Sequence, residues 1–243
     1  MMKYDIKLDL HTHTLMSGHA YSTLEENIRY AASIGLEGIA MTNHAPALGD
    51  APHPLHFDGF RMIPDYVMGV RVLCGVEANI LDLSGRLDID EFERKRNLDI
   101  VIASIHSESY SEFSTGVSDH TSAYMGALEN PWVDIIGHSG YVNCPYDYEK
   151  VARRAKELNK LIEINAKTLA DRKENIGNCR EIALTCKRLG TGISVGSDAH
   201  FSMGVGDFSR VYEFLSEIDF PEELIISRNY ETLKKYFSVR KEI

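Results

Sequence analysis

Short apolar segments rich in β-branched residues alternate along this chain with segments of helical spacing, and this alternation constrains the fold most strongly. Seven strand candidates occur, at residues 3–10, 38–44, 71–80, 98–106, 133–140, 161–166 and 192–200. Two helical candidates follow the last strand, and the others lie at residues 22–35, 61–69, 90–97, 120–129, 147–159 and 178–189. Strands that alternate with helices pair in parallel through right-handed crossovers, so we expect an α/β fold with a parallel sheet.

Six of the seven predicted strands end in a residue type that binds transition metals. The first ends in His11 and His13, whose imidazoles share one face because successive strand side chains alternate in direction. The other five strand ends carry His44, Glu77, His106, His138, and Asp198 with His200. An open sheet would spread these ends along a line at about 4.8 Å per strand, whereas a closed barrel gathers them at one mouth. The pattern therefore predicts a barrel with a metal site at the carboxyl ends of its strands.

Local signals refine this pattern. Ser22 and Glu25 have the spacing of a capping box at the start of the first helix, and Gly35 stands where that helix should end. Residues 80–89 predict a small hairpin after the third strand. The sequence has no low-complexity segment, long linker or change of composition that marks a boundary, so we expect a single domain over residues 1–243.

The composition disfavours several classes of function. A formal net charge of -10, without a stripe rich in Lys or Arg, argues against general binding to a nucleic-acid backbone. The N-terminus lacks the features of a secretion signal and no apolar run reaches the roughly 20 residues of a membrane span, so we expect a cytoplasmic protein without membrane partners. Cys74, Cys144, Cys179 and Cys186 form no CxxC pair and suit reduced thiols rather than a structural zinc site.

The candidate metal ligands are imidazoles and carboxylates without thiolates, which favours Zn²⁺, Mn²⁺ or Fe over copper(I) or an iron-sulfur cluster. His19 joins the strand-end residues, because it lies in the loop after the first strand and its side chain can return over the barrel mouth. The nine candidates are His11, His13, His19, His44, Glu77, His106, His138, Asp198 and His200. One ion cannot use so many ligands, so we expect two or three ions.

Several motifs occur in an order that resembles the PHP (polymerase and histidinol phosphatase) superfamily over nearly the whole chain. They are DLHTH at 9–13, HAYST at 19–23, TNHAP at 42–46, GVEAN at 75–79, His106, GHSG at 137–140 and GSDAH at 196–200. The chain is also similar to the small YcdX-type phosphatases, through DAPH at 50–53, EIN at 163–165 and NCRE at 178–181. The resemblance implies a distorted, TIM-like (β/α)7 barrel with a trinuclear, usually zinc, centre.

The same resemblance distributes the candidate ligands among three ions. It implies that the first ion is held by His11, His13, Glu77 and Asp198. The second would be held by Glu77, His106 and His138, so that the Glu77 carboxylate bridges two ions. The third would be held by His19, His44 and His200, and none of these positions departs from the family pattern.

The implied chemistry is phosphate-ester hydrolysis. A hydroxide shared by two dications is available near neutral pH, because the metals lower the pKa of bound water from 15.7 towards about 7. It would attack phosphorus in line, with inversion and without a covalent enzyme intermediate. Glu77 and Asp198 are the catalytic candidates among the ligands, and Arg61 and Lys167 are candidates for phosphate binding. Arg172 is a weaker phosphate-binding candidate.

The roles of the remaining polar candidates stay open. His53 and His56 lie in the second βα loop and could line the pocket, although surface histidines are the simpler interpretation. His120 opens a predicted helix and receives no role. Glu163 and Asn165 end the sixth strand, where they would support the ligands or line the pocket.

Several functions are compatible with these features. The leading hypothesis is a metal-dependent phosphomonoesterase that acts on a small molecule, and histidinol phosphate is one candidate substrate. An amidohydrolase is disfavoured, because residues 102–108 at the fourth strand end contain no lysine that could be carboxylated to bridge two metals. The lack of a basic groove disfavours a nuclease, and the intact ligand set disfavours a non-catalytic metal-binding protein. A homo-oligomer is compatible with the sequence, which does not determine the oligomeric state.

Overall fold

The computed structural model describes residues 4–89, 97–110, 116–171 and 173–239. Within them the strands are β1 (Leu8–Thr12), β2 (Gly38–Met41), β3 (Tyr66–Val67), β4 (Val70–Asn79), β5 (Ile100–Ser104), β6 (Ile135–Ile136), β7 (Leu161–Asn165) and β8 (Ile193–Gly196). Seven of them pair in parallel in the order β1-β2-β4-β5-β6-β7-β8, and β3 adds to β4 in antiparallel orientation.

The sheet closes between its first and last strands. The amide of Asp198 donates to the carbonyl oxygen of His11 at 2.8 Å, and the amide of His13 donates to that of Ala199 at 2.9 Å. Thr12 and Ala199 form a parallel bridge. The predicted α/β barrel of seven parallel strands is therefore confirmed, with closure made by the residues that follow β8.

The described residues contain α-helices α1 (Leu24–Ser33), α2 (Leu55–Asp58), α3 (Val117–Glu129), α4 (Tyr148–Glu157), α5 (Ala166–Asp171), α6 (Asn175–Leu189), α7 (Ser209–Glu217) and α8 (Tyr230–Phe237). Both helices expected after the last strand are confirmed, as are those expected at residues 22–35, 120–129, 147–159 and 178–189. The helix predicted at 61–69 is wrong: a 3-10 helix ends at Met62 and β3 follows, with Met68 at φ 53° in the turn to β4.

Two smaller predictions also change. The helix expected at 90–97 lies outside the described residues apart from Asn97. The hairpin expected at 80–89 is reduced to one antiparallel bridge between Ile80 and Leu87.

Helix α1 begins one residue later than the sequence signal indicated. Thr23, not Ser22, is the N-cap: its Oγ1 accepts the amide of Glu26 at 3.2 Å, and Glu26 Oε2 accepts the amide of Thr23 at 2.7 Å. Ser22 Oγ instead accepts the amide of Ser202 at 2.8 Å, which ties the loop before α1 to the loop after β8. Gly35 follows the helix with φ 77°, as the C-terminal signal predicted.

Aliphatic side chains fill the barrel below the mouth. Leu8, Leu10, Leu73, Ile102 and Leu161 belong to one buried cluster. Leu233 and Phe237 of α8 join the same cluster and are fully buried, so α8 covers the amino-terminal end of the barrel. The accessible opening is therefore at the carboxyl ends of the strands.

Candidate metal centre

All nine predicted ligands come together at the carboxyl mouth of the barrel. A cavity of about 550 Å³ opens there, and seven of the nine line it: His19, His44, Glu77, His106, His138, Asp198 and His200. His11 and His13 lie fully buried beneath it. The sequence-based expectation that several strand ends share one site agrees with this arrangement.

A β-bulge in β1 directs two histidines into the site. The register with β2 shifts by one residue between Asp9 and Thr12. Before the shift Leu8 and Leu10 belong to the barrel core, and after it His11 and His13 face the mouth, with their Nε2 atoms 3.1 Å apart. A bulge adds one residue to the strand and so changes the direction of the side chains that follow it. The amino-terminal part of β1 therefore fills the barrel core, and its carboxyl end presents two candidate metal ligands.

We call His11, His13, Glu77 and Asp198 the first ligand group. His11 Nε2 lies 3.3 Å from Glu77 Oε2, and His13 Nε2 lies 3.3 Å from Asp198 Oδ1. Four atoms bound tetrahedrally to zinc at about 2.0 Å are separated by about 3.3 Å. The spacing of the first ligand group therefore fits a zinc ion.

The second ligand group consists of Glu77, His106 and His138. His138 Nε2 lies 2.7 Å from Glu77 Oε1 and 3.2 Å from His106 Nε2. Ser104 Oγ donates to the same Oε1 at 2.7 Å. The two oxygens of Glu77 thus face two different ligand groups, and the buried Oε2 accepts no hydrogen bond. A buried carboxylate oxygen surrounded by imidazole nitrogens is an anion directed at a position that suits a cation.

The third ligand group is His19, His44 and His200. The Nε2 atoms of His19 and His200 lie 2.8 Å apart, at the outer rim of the mouth. His44 Nδ1 lies 2.8 Å from Glu77 Oε2, so His44 contacts the first and second groups as well as the third. The side chain of His19 is 49% exposed, which makes this group the most accessible to solvent.

Outer partners orient most of these imidazoles. In five of them Nδ1 contacts an oxygen while Nε2 faces another ligand. The pairs are His11 with Glu163 at 2.8 Å, His13 with Ser17 at 3.3 Å, His19 with Asp50 at 2.5 Å, His106 with Asn79 at 2.7 Å, and His200 with the Asp198 carbonyl at 2.9 Å. An acceptor at Nδ1 keeps the proton there and leaves the Nε2 lone pair free to bind a metal. Lone pairs that converge in this way repel each other unless a cation lies between them.

The charge state of the centre also suits cations. Burial raises the pKa of the Glu77 carboxyl, but attraction to the positive charge that His11, His106 and His44 carry when protonated outweighs burial, and the net pKa is well below the usual range. The pKa of Asp198 is lowered by His11 and His13 despite its burial. Burial lowers the pKa of His200 to about 4, so this imidazole is neutral at pH 7, as a ligand must be.

Of the candidates for phosphate binding, Lys167 lies at the cavity and Arg61 does not. Lys167 lines the cavity, with Nζ 3.8 Å from Asp198 Oδ1 and 3.5 Å from His200 Nδ1. Among the described residues, Lys167 is the one Lys or Arg that lines this cavity. Arg61 is exposed on the 3-10 helix Gly59–Met62 and does not line it. Arg172 lies outside the described residues.

The other sequence candidates take supporting or remote positions. His53 is exposed, and His56 packs against Phe57 and lies 3.2 Å from Asn43 Nδ2, outside the cavity wall. His120 is buried in α3, where Nδ1 lies 3.0 Å from the carbonyl oxygen of Pro145. All four cysteines are buried and free, in agreement with the expected reduced thiols.

Sequence reasoning missed several residues that contact the candidate ligands, among them Ser17, Asn79, Ser104 and Asp50. Asn79 follows Glu77 by two residues and Ser104 precedes His106 by two, so alternation along each strand was a usable signal. Asp50 lies in a loop, and no local pattern connects it with His19.

Glu163 and Asn165 lie inside the barrel, directly below the first ligand group. Glu163 accepts a hydrogen bond from His11 Nδ1, and Asn165 Nδ2 donates to Asp198 Oδ2 at 3.4 Å. Both side chains are buried. Between the two alternatives left open by the sequence, they support the ligands rather than line the cavity.

No helix among the described ranges combines the length and apolar character needed to cross a membrane.

Known proteins are similar to this chain in sequence and in fold. A probable phosphatase of Acetivibrio thermocellus is 46% identical over 235 residues, which cover 97% of this chain and 96% of that protein. A probable phosphatase of Caldanaerobacter subterraneus is 43% identical over 241 residues, or 99% and 94% of the two chains. The solved structure of histidinol phosphate phosphatase from Lactococcus lactis, complexed with zinc, L-histidinol and phosphate, has a TM-score of 0.66 at 20% identity and covers 88% of this chain and 94% of that one.

The sequence matches show the family of this chain, and the Lactococcus structure has a similar fold. The model of the PHP domain matches residues 9–170, which hold seven of the nine predicted ligands. The two relatives extend the similarity over nearly the whole chain, beyond Asp198 and His200. This chain therefore belongs to the PHP domain family.

Proposed function

We propose that this protein is a metal-dependent phosphatase that hydrolyses small-molecule phosphate monoesters at a trinuclear zinc centre. The observation that carries the proposal is Glu77, whose Oε1 and Oε2 face the second and first ligand groups respectively. The names of the relatives support phosphatase chemistry. The zinc and phosphate of the Lactococcus structure agree with it.

The residues present fit three ions. The first, second and third ligand groups would each hold one, and Glu77 would be shared by the first two. Neutral imidazoles with carboxylates are a common zinc donor set, and the same set also accepts Mn²⁺ or Fe. Bound zinc would supply Lewis-acid chemistry: it activates water as the nucleophile and neutralises charge on the phosphate oxygens.

The chain's own groups bind and orient the substrate. Two observations support a role for Lys167 as a donor to a phosphate oxygen: it lines the cavity, and its Nζ lies 3.8 Å from Asp198 Oδ1. Asp198 Oδ1 lies 3.3 Å from His13 Nε2, and the pKa of its carboxyl is lowered by His11 and His13, which supports a role as an ionised metal ligand. Leu48, Ile105 and Tyr141 form the outer wall, which can contact the organic part of the ester.

A substrate screen tests this function. Zinc-reconstituted protein is offered phosphomonoesters, including histidinol phosphate, together with phosphodiesters and amides. We expect turnover of monoesters and little turnover of the other two classes. Comparable rates on a diester or an amide would contradict the proposal. With a chiral phosphate ester we expect inversion at phosphorus, and retention would instead indicate a covalent intermediate.

Replacing Lys167 tests the phosphate-binding role. We expect Lys167→Ala to lower kcat/KM by about 10- to 100-fold, because a hydrogen bond to a charged group contributes about 1.5–3 kcal/mol. Steady-state kinetics, together with zinc analysis showing unchanged metal content, would measure this. Lys167→Arg should recover part of the loss, since it keeps the charge.

Arg61→Ala is the matched comparison. The Arg61 side chain is exposed and outside the cavity, so we expect kinetics close to wild type. If Arg61→Ala lost as much activity as Lys167→Ala, the assignment of phosphate binding to Lys167 alone would be wrong.

A further inference from the structure

A buried carboxylate below the metal centre contacts two ligand groups at once. Glu163 in β7 is 4% exposed. Its Oε1 lies 2.8 Å from Nδ1 of His11, a member of the first ligand group. Its Oε2 accepts the backbone N–H of His138, a member of the second group, at 2.7 Å. One side chain therefore connects residues that would bind different ions.

The contact with His11 sets the orientation of that imidazole. When the ring proton is on Nδ1 and donated to Glu163, the Nε2 lone pair of His11 points into the first ligand group. Glu77 Oε2, another atom of that group, lies 3.3 Å from this Nε2. Carboxylate partners of this kind fix the ring and increase the basicity of the ligating nitrogen. Glu163 thus prepares His11 for the first ion.

The contact with His138 acts on the backbone. His138 has φ 23°, a left-handed conformation that costs energy for a residue with a Cβ. A hydrogen bond from its N–H to a charged carboxylate is stronger than one to a neutral acceptor. Glu163 therefore stabilises the conformation that places His138 Nε2 2.7 Å from Glu77 Oε1, ready for the second ion.

Neighbouring residues hold Glu163 in this position. Asn165 Nδ2 donates to Glu163 Oε2 at 3.2 Å. Gly196 lies in β8, the strand between β7 and β1, and a Cβ there would overlap both Glu163 Oε1 and the Cβ of His11. The close contact between Glu163 and His11 therefore requires the glycine in β8.

We propose that Glu163 is a positioning residue that couples the first and second ion sites, so that zinc at one site favours zinc at the other. The coupling rests on the metal centre of the proposed phosphatase. Zinc bound to His11 would fix the ring whose Nδ1–H donates a hydrogen bond to Glu163. The carboxylate fixed in this way would hold the backbone of His138 in the conformation that binds the second ion. By linkage the effect is reciprocal.

Zinc titration with a competing chelator tests the coupling. Wild type should bind two ions cooperatively and a third independently. In Glu163→Gln, whose side chain presents one oxygen where the carboxylate presents two, we expect both coupled ions to bind about 10- to 100-fold more weakly, and the cooperativity to be lost. Asp50→Asn is the control: Asp50 contacts His19 of the third group, so one ion alone should weaken.

Two results of the zinc titration would contradict the coupling. The first is unchanged zinc affinity in Glu163→Gln, and the second is a loss of affinity for only one ion. If Glu163→Gln fails to fold, ¹⁵N NMR of zinc-loaded wild type decides: we expect a slowly exchanging proton on His11 Nδ1, and an unprotonated Nδ1 would overturn the assignment.

The coupling and the proposed function can fail separately. Cooperative zinc binding in a protein that cleaves no phosphate ester would contradict the function and leave the coupling intact. A phosphatase whose Glu163→Gln variant binds zinc like wild type would contradict the coupling alone.

Discussion

Glu77→Gln is expected to lower phosphatase turnover by about 10³-fold or more and to reduce the zinc content of the protein. In the wild type one oxygen of Glu77 faces the first ligand group and the other faces the second. The glutamine amide has one oxygen, and its NH₂ would point at one of the two groups. Losing charge stabilisation of several kcal/mol in the transition state corresponds to a rate change of this size. Steady-state kinetics and metal analysis of the same preparation would measure both effects.

Ser104→Ala is the control for this variant. It removes the hydrogen bond that Ser104 Oγ donates to Glu77 Oε1 at 2.7 Å but keeps the carboxylate. We expect a smaller loss than in Glu77→Gln, about 10- to 100-fold, because one hydrogen bond to a charged group contributes about 1.5–3 kcal/mol and the carboxylate itself remains. A Glu77→Gln protein with reduced zinc and full activity would refute the bridging role.

Removing the ions by chelation is expected to abolish activity and to lower Tm strongly. A ligand that binds only the folded state at 1,000 times its Kd contributes about 4 kcal/mol. In a protein of this size 1 kcal/mol shifts Tm by about 2–4 °C, so one such ion accounts for about 8–16 °C. Without cations, the ionised carboxylates of Glu77 and Asp198 remain buried among imidazoles.

Calorimetry of zinc-loaded, chelated and zinc-restored protein measures this effect. Zinc should restore both Tm and activity to the chelated sample, whereas Mg²⁺, which prefers oxygen ligands, should restore neither fully. Equal Tm values for the loaded and chelated proteins would show that the ligand groups do not bind ions tightly in the folded state.

The barrel, and the gathering of the candidate ligands at its mouth, were predictable because their signals are local and repeated. Six of the seven parallel strands are apolar runs that end in a residue type able to bind a metal, and closure of the sheet brings these ends together. The β1 bulge was not predictable, since both registers look alike in the sequence and pairing with β2 selects one. The failed helix at 61–69 contains Pro64 and Gly69, whose turn chemistry outweighed an apparent helical spacing.

The surroundings of the ligands depended on contacts between distant segments. Asp50 reaches His19 across 31 residues, and Glu163 reaches His11 across 152. Lys167 and Arg61 looked equivalent in the sequence, but only the first lies at the end of a barrel strand, where it lines the cavity. Residue type alone did not separate them, because loop packing decides which cation reaches the mouth.

The most direct test of the multinuclear phosphatase is a zinc titration of metal-free protein that follows bound metal and phosphomonoesterase activity together. We predict three zinc ions per chain at saturation, with activity appearing only once the first and second ligand groups are both filled. Full activity with fewer than two ions per chain would contradict the account.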